Sequence, residues 1–363
     1  MAYSRRELGR LAAGAIPAAI WLGNSGKNNL TAASGAQTGK PASNWGGVQV
    51  GIIAPYAFQG TATTVDDILA RTVELGLSAI ELQSGPVETF AGLPPEPGAR
   101  GRGAAPAAAG RAAGPAGPLA PGQGAATTPA RGGRGPAREP STADIAAQRD
   151  HAAVVRKWRL SQSLRKYQEL RRKYEAAGVA IQIVKFNLGD SWTDDEIDYA
   201  FQTAKALGCR AITCEPPVSE TKRLGLFASK HQIMLGYHNH ANVTDVEAFG
   251  RPGSWEQAFF YSPFNGANVD IGHFTAGNSR SPIPFIQEHH ARITNLHLKD
   301  RKMNNGENVP WGQGDTVIRD VLQMMKRERY PFMATIELEY RVDGSDAMTE
   351  LKKCVQFCRE ALA

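Results

Sequence analysis

Short apolar runs alternate with longer stretches of helical period along most of this chain. Val48 to Ala54 is the first such run and reads as a strand. Thr63-Thr-Val-Asp66 then carries capping chemistry and predicts a helix running to Leu75, with Gly76 closing it. Ser78 to Leu82 predicts a second strand, with Glu81 near its end, so the opening unit is βαβ. A long helical stretch from about Thr142 to Ala177 is closed by Gly178, and Val179 to Val184 predicts strand three. Thr193-Asp-Asp-Glu196 has the form of a capping box and starts a helix to Leu207. Gly208 ends it, and Ala211 to Cys214 predicts strand four. The remaining strands are predicted at Ile233–Tyr237, Ala267–Val269, Ile293–Leu296 and Phe332–Ile336. Helices are predicted over Val218–Lys230, around Trp255, and over Ile283–His290, Asp315–Arg329 and Asp346–Leu362.

Eight strands alternating with about eight helices define an α/β chain with a parallel sheet covered by helices. Eight units suggest closure into a (β/α)8 TIM barrel. An open doubly wound sheet would want a glycine-rich phosphate loop after the first strand, and Ala54-Pro55-Tyr56-Ala57 is not one. Gly312-Gln-Gly-Asp315 follows strand seven and opens a helix, so its amides could hold an anion or hydroxyl, or simply make a tight turn.

Composition narrows this picture to part of the 363 residues. Residues 92–140 are almost all Ala, Gly, Pro and Arg, with too little apolar side chain to offset the entropy of ordering. They read as a disordered insertion after strand two. Residues 1–44 read as a signal and flexible tether. Ser4-Arg5-Arg6-Glu7-Leu8-Gly9-Arg10 precedes an apolar run from Leu11 to Leu22, the plan of a twin-arginine export signal. That plan predicts an exported, periplasmic protein with no stable membrane anchor. Residues 45–363, less the insertion, leave roughly 270 residues, close to the ~250 typical of this barrel. Formal net charge is +6, but much of the excess lies in the N-terminal arginines and in the insertion. A nucleic-acid-binding face is therefore not expected. Cys209, Cys214, Cys354 and Cys358 form no CxxC pair and read as small packing residues.

Function in a parallel barrel sits at the carboxyl ends of the strands. Asp270, His297 and Glu337 each follow apolar runs, on strands six, seven and eight. Strand five ends on His238, which completes a candidate metal set of His238, Asp270, His297 and Glu337. Carboxylate and imidazole donors suit one Mn, Zn, Co or Fe ion better than calcium. His240 lies two residues beyond His238 and so points the same way, where it could hold substrate or move a proton. Glu337, His240, Glu215 and Lys299 are the candidate catalytic groups, Lys299 as a stabiliser of an oxyanion or enolate. His273, Lys185, Glu81 and Trp311 are the candidate substrate-binding residues.

Five motifs, Tyr237-His-Asn-His240, Val269-Asp-Ile-Gly-His273, Leu296-His-Leu-Lys-Asp300, Pro310-Trp-Gly-Gln-Gly-Asp315 and Ile336-Glu337, resemble the xylose isomerase-like TIM-barrel superfamily. The sugar phosphate isomerase/epimerase branch is the nearest in outline. The resemblance implies one Mn or similar ion held by Glu, Asp, His and Glu, the last three falling on Asp270, His297 and Glu337. It implies a small carbohydrate substrate and proton abstraction next to a metal-bound carbonyl or hydroxyl. This chain departs at the first ligand, where His238 replaces a glutamate, and that departure puts symmetric two-base epimerisation in doubt. A lyase or dehydratase acting on 3-keto-glycosides, with a sugar oxidoreductase as partner, is the alternative. Two readings of other classes are a non-catalytic sugar-binding barrel and a DNA-repair endonuclease. The endonuclease needs more ligands for its zinc cluster than this chain offers. An oligomer is compatible with the fold.

Overall fold

The structure, a computed structural model, describes residues 39–95 and 142–363. The proposed signal and most of its tether lie outside the described residues, as does nearly all of the low-complexity insertion. The described residues fall into two units. One contains everything through Gly92 and from Gln162 onward; the other, Leu93–Ser161, contributes the helix Thr142–Ser161.

Eight parallel strands form the first unit: β1 (Val48–Ala54), β2 (Ala79–Gln83), β3 (Ala180–Lys185), β4 (Ala211–Cys214), β5 (Met234–His238), β6 (Asn265–Asp270), β7 (Ile293–Leu298) and β8 (Met333–Ile336). Each pairs with its successor, and β1 pairs with β8 through Val50–Ala334, Gly51–Thr335 and Ile52–Ile336, which closes the barrel. A two-residue antiparallel strand, Asn44–Trp45, folds back on the start of β1. Helices surround the sheet, and their buried residues recur with helical spacing: Ile318, Val321, Leu322 and Met325 in the helix Ile318–Glu328 are one such face. Ala79, Ile183, Ala211 and Met333 form a core cluster drawn from four strands.

The capping signals act as anticipated. Thr64 accepts from the Asp67 amide, and the Thr193–Glu196 box is reciprocal. The structure corrects one helical expectation and adds two helices that the sequence pattern did not predict. The stretch Thr142–Ala177 is two helices, Thr142–Ser161 and Arg165–Ala176. Its interruption coincides with Ser161, whose hydroxyl donates to Trp158 O, and Ser163, whose Oγ accepts from the Arg165 amide; such local bonds compete with helix continuation. Ser84–Ala91 is a helix despite its Gly and Pro. Ile271–Asn278 is another, capped by Asp270, which accepts from the His273 amide. Its two glycines conceal it in the sequence, and both are needed for close approach. A Cβ on Gly272 would come within 2.8 Å of Lys299 O, and one on Gly277 within 2.8 Å of Ala241 O. Among the described residues no helix is long and apolar enough to cross a membrane.

Candidate metal centre

The barrel register brings His238, Asp270, His297 and Glu337 together. His238 pairs with Asn268, two residues before Asp270, and Asp270 pairs with His297. His297 pairs with Thr335, two before Glu337. Steps of two along the strand keep the same face, so all four residues share one side of the sheet while the level climbs with strand tilt. One ligand atom from each lies within 4.8 Å of the others, and all four residues are buried.

Neighbouring groups fix these side chains. Asn239, between the two histidines, accepts from the Asp270 amide at 2.7 Å and donates to Asp270 O at 3.1 Å, continuing the ladder with a side chain. Asp270 Oδ1 caps the following helix at 2.7 Å from the His273 amide. Its Oδ2 lies 2.9 Å from Lys299 Nζ but off hydrogen-bond geometry, so it has no aligned donor. His238 Nδ1 is likewise buried without a partner. His297 lies with Nε2 2.7 Å from Glu81 Oε2 and Nδ1 3.0 Å from Glu337 Oε2. Glu81 is fully buried and also accepts from Thr213 Oγ1 at 2.5 Å and Asn295 Nδ2 at 2.7 Å. The sequence suggested Glu81 as a substrate contact. The structure places it beneath His297 instead, where its three buried donors leave it to orient the imidazole.

Four carboxylates, of Glu81, Asp270, Glu337 and Glu339, gather around Lys299 and His297. Lys299 Nζ lies 3.1 Å from Glu337 Oε2 and 2.6 Å from Glu339 Oε2. Burial opposes charge on His297, but Glu81 and Glu337 outweigh it and push its pKa up to about 10. Burial, helped by the Glu337 charge and only partly offset by Lys299, pushes Asp270 up to about 6. Burial works against ionisation of Glu337 as well, yet Lys299 and His297 hold it well below the usual carboxylate range. His238 is held well below the ordinary imidazole value by burial and by the Lys185 ammonium, so it is neutral. The site therefore binds protons to offset surplus negative charge. His238 Nδ1 with no hydrogen-bond partner, Asp270 Oδ2 with no aligned donor, and a His297 whose Nε2–H is committed to Glu81 fit a divalent cation held by these four residues.

A second cluster borders the first. Glu215 follows β4 and is ion-paired with Lys185 at the end of β3. Its other oxygen lies 3.2 Å from His240 Nε2, and His238 Nε2 is 4.0 Å from its first. Burial raises the Glu215 pKa, but His240 and Lys185 bring it down to about 2. The bond to Glu215 raises that of the more exposed His240 against its partial burial. His273 sits 4.8 Å from His240, ring to ring, and burial with the nearby Lys299 charge keeps it neutral.

Trp311 packs edge-on against Phe357 of the last helix at 5.6 Å. The Gly312 and Gly314 amides donate to Asp300 Oδ2 at 2.8 and 2.9 Å, so the chain's own carboxylate fills that turn. Conversely, Glu339, Arg301 and Asn308, which were not singled out, join Tyr56 at the rim. Glu339 accepts from Tyr56 and from Asn308 Nδ2 at 3.3 Å. The available signal was its spacing of two from Glu337, which puts it on the same face if the extended chain continues.

No family profile matches the chain, and no curated protein resembles it in sequence. Solved structures do share its fold. A xylose isomerase domain protein from Planctomyces limnophilus superposes with a TM-score of 0.52 at 13% identity, over 86% of this chain and 97% of its own. A sugar phosphate isomerase/epimerase from Parabacteroides distasonis gives 0.51 at 14% identity, over 92% and 98%. The apo form of the 3-keto-D-glucoside 4-epimerase YcjR from E. coli gives 0.53 at 7% identity, over 86% and 99%. The protein is thus a closed (β/α)8 barrel that shares the fold of these three structures.

Proposed function

We propose that the protein is a divalent-metal-dependent carbohydrate enzyme of the isomerase/epimerase type, acting by proton abstraction beside a carbonyl or hydroxyl of a small sugar. The observation that carries this reading is the buried His238–Asp270–His297–Glu337 cluster at the carboxyl ends of four consecutive strands. The cation, manganese being the first candidate and zinc, cobalt or iron the others, would act as a Lewis acid on the substrate oxygen. The chain's own groups handle protons and orientation. Glu337, ionised beside Lys299 and His297, is the base candidate. His240, kept basic by Glu215, is the matching acid. Lys299 supplies a fixed positive charge beside both carboxylates.

One feature favours a second reading. His238, an imidazole, stands with Glu337 in the candidate ligand set, where a symmetric two-base epimerase would want a second ligand carboxylate. A carboxylate base with a histidine acid suits β-elimination as well, which makes a 3-keto-glycoside lyase or dehydratase the alternative. The named activity of the E. coli structural neighbour supports keto-sugars as the first substrates to try.

The test is elemental analysis of the purified protein beside an Asp270→Ala/His297→Ala double variant, followed by assays on ketoses and 3-keto-glycosides. About one transition-metal ion per chain, lost in the variant, together with turnover, is the expected result. A wild type that takes up no metal after soaking refutes the proposal and leaves a sugar-binding barrel.

A further inference from the structure

Arg301 lies just beyond the Leu296–Asp300 motif and holds two things at once. Its Nε and Nη2 donate to Gly306 O at 3.0 and 2.5 Å, and its Nη1 lies 2.6 Å from His273 Nδ1. A guanidinium has donors and no acceptor. With its far edge tied to Gly306, the contact to His273 has one polarity: Arg301 donates and Nδ1 accepts. A neutral imidazole that accepts at Nδ1 carries its proton at Nε2. The backbone that carries the ring is itself held, because the His273 amide donates to Asp270 Oδ1 at 2.7 Å and a Cβ at Gly272 would come within 2.8 Å of Lys299 O.

That Nε2 faces Glu339 Oε2 at 3.9 Å, beyond direct hydrogen-bond reach. Two atoms that far apart can both contact one oxygen placed ~2.8 Å from each. Glu339 acts as an acceptor: Asn308 Nδ2 and the Tyr56 hydroxyl donate to it, and the Lys299 ammonium is ion-paired with it at 2.6 Å. A group that bridges them must accept from Nε2–H and donate to the carboxylate. A hydroxyl does both. A carbonyl has no proton to give, and an ammonium has no lone pair to offer.

We propose that Arg301 is a positioning residue that fixes His273 as the Nε2–H tautomer, and that His273 and Glu339 together bracket one hydroxyl of the substrate. The second half rests on the carbohydrate reading; the first does not. Histidine labelled with 15N and 13C in the full chain tests both by NMR, with His273→Asn assigning the resonance. The expected spectrum shows wild-type His273 as the Nε2–H form. Arg301→Met, which has no donor, moves it to a mixed or Nδ1–H form, and Arg301→Lys retains part of the wild-type signature. A wild-type His273 found as Nδ1–H or as a cation overturns the assignment, as does an Arg301→Met spectrum identical to wild type.

Titration with a ketohexose, D-fructose, supplies the second arm. The His273 Nε2 resonance is expected to shift, and Glu339→Gln to lose that shift. Movement of His240 without His273 overturns the bracket and spares the carbohydrate reading. Silence from every histidine counts against both, while the tautomer result stands.

Discussion

Glu81 shows how much of the site depends on a residue that touches no solvent. It takes hydrogen bonds from Thr213, Asn295 and His297 in a position with no exposed surface. An imidazole that donates one nitrogen to a carboxylate has its tautomer, its ring plane and its basicity set by that bond. Glu81→Gln keeps the volume but turns an NH2 toward either Thr213 or the Asn295–His297 pair, where donors already point. The expected outcome is a folded protein whose metal affinity falls about 10–100-fold. Competition with a graded chelator measures it, and circular dichroism confirms the fold. Unchanged affinity would show that Glu81 serves the barrel alone.

A bulge governs how β5, β6 and β7 fit together. Between Ala267–Ile293 and Asn268–Asn295 the pairing skips Thr294. This residue is 3% exposed and its hydroxyl donates to Ala267 O at 3.1 Å. Its side chain occupies the space over Gly236, where an added Cβ would stand 2.1 Å from Thr294 Oγ1. Gly236→Ala should therefore destabilise the protein by about 1–3 kcal/mol, the usual cost of overpacking. Adding Thr294→Ala should recover part of that loss, because the two sites share one volume. Denaturant unfolding of the two single variants and the double variant reads the coupling.

The same elements show what a sequence can and cannot reveal. Strand positions were legible because apolar runs sit between glycine-terminated helices and new helix starts, as at Gly76, Gly178 and Gly208, all with positive φ. His238, Asp270, His297 and Glu337 were legible because each interrupts or ends such a run. Thr294 was not, since threonine suits a regular strand as well as a bulge. The Tyr56–Glu339 contact joins positions 283 apart in the chain, and no local pattern encodes it. Asp300 reads as a surface acid until the fold brings the Gly312 and Gly314 amides to it.

Across the whole barrel, the candidate ligands come from four successive strands, so a bound cation would tie half the closed sheet together. A ligand held only by the native state stabilises it by about 2.7 kcal/mol at a hundredfold excess over its dissociation constant. For a fold of roughly 270 residues, at ~2.1 cal/mol/K of unfolding entropy each, that corresponds to a rise in Tm of about 5 °C. The pH dependence has a definite sign. The His297 pKa is about 10 in the fold, above the ~6.5 of an unfolded chain, so its proton stabilises the metal-free protein fully below pH ~6.5. That contribution is lost as pH rises toward 10. Asp270, raised to about 6 from ~3.9, adds a similar contribution that fades across that lower interval. Cation binding requires both groups without their protons. The metal-free protein should thus lose stability from pH 6 to 9, while the increment from added Mn or Zn should grow over the same range. Calorimetry at pH 6 and pH 8, with and without metal, measures both trends. An increment that shrinks with rising pH, or that survives in Asp270→Ala/His297→Ala, would place the cation somewhere other than this cluster.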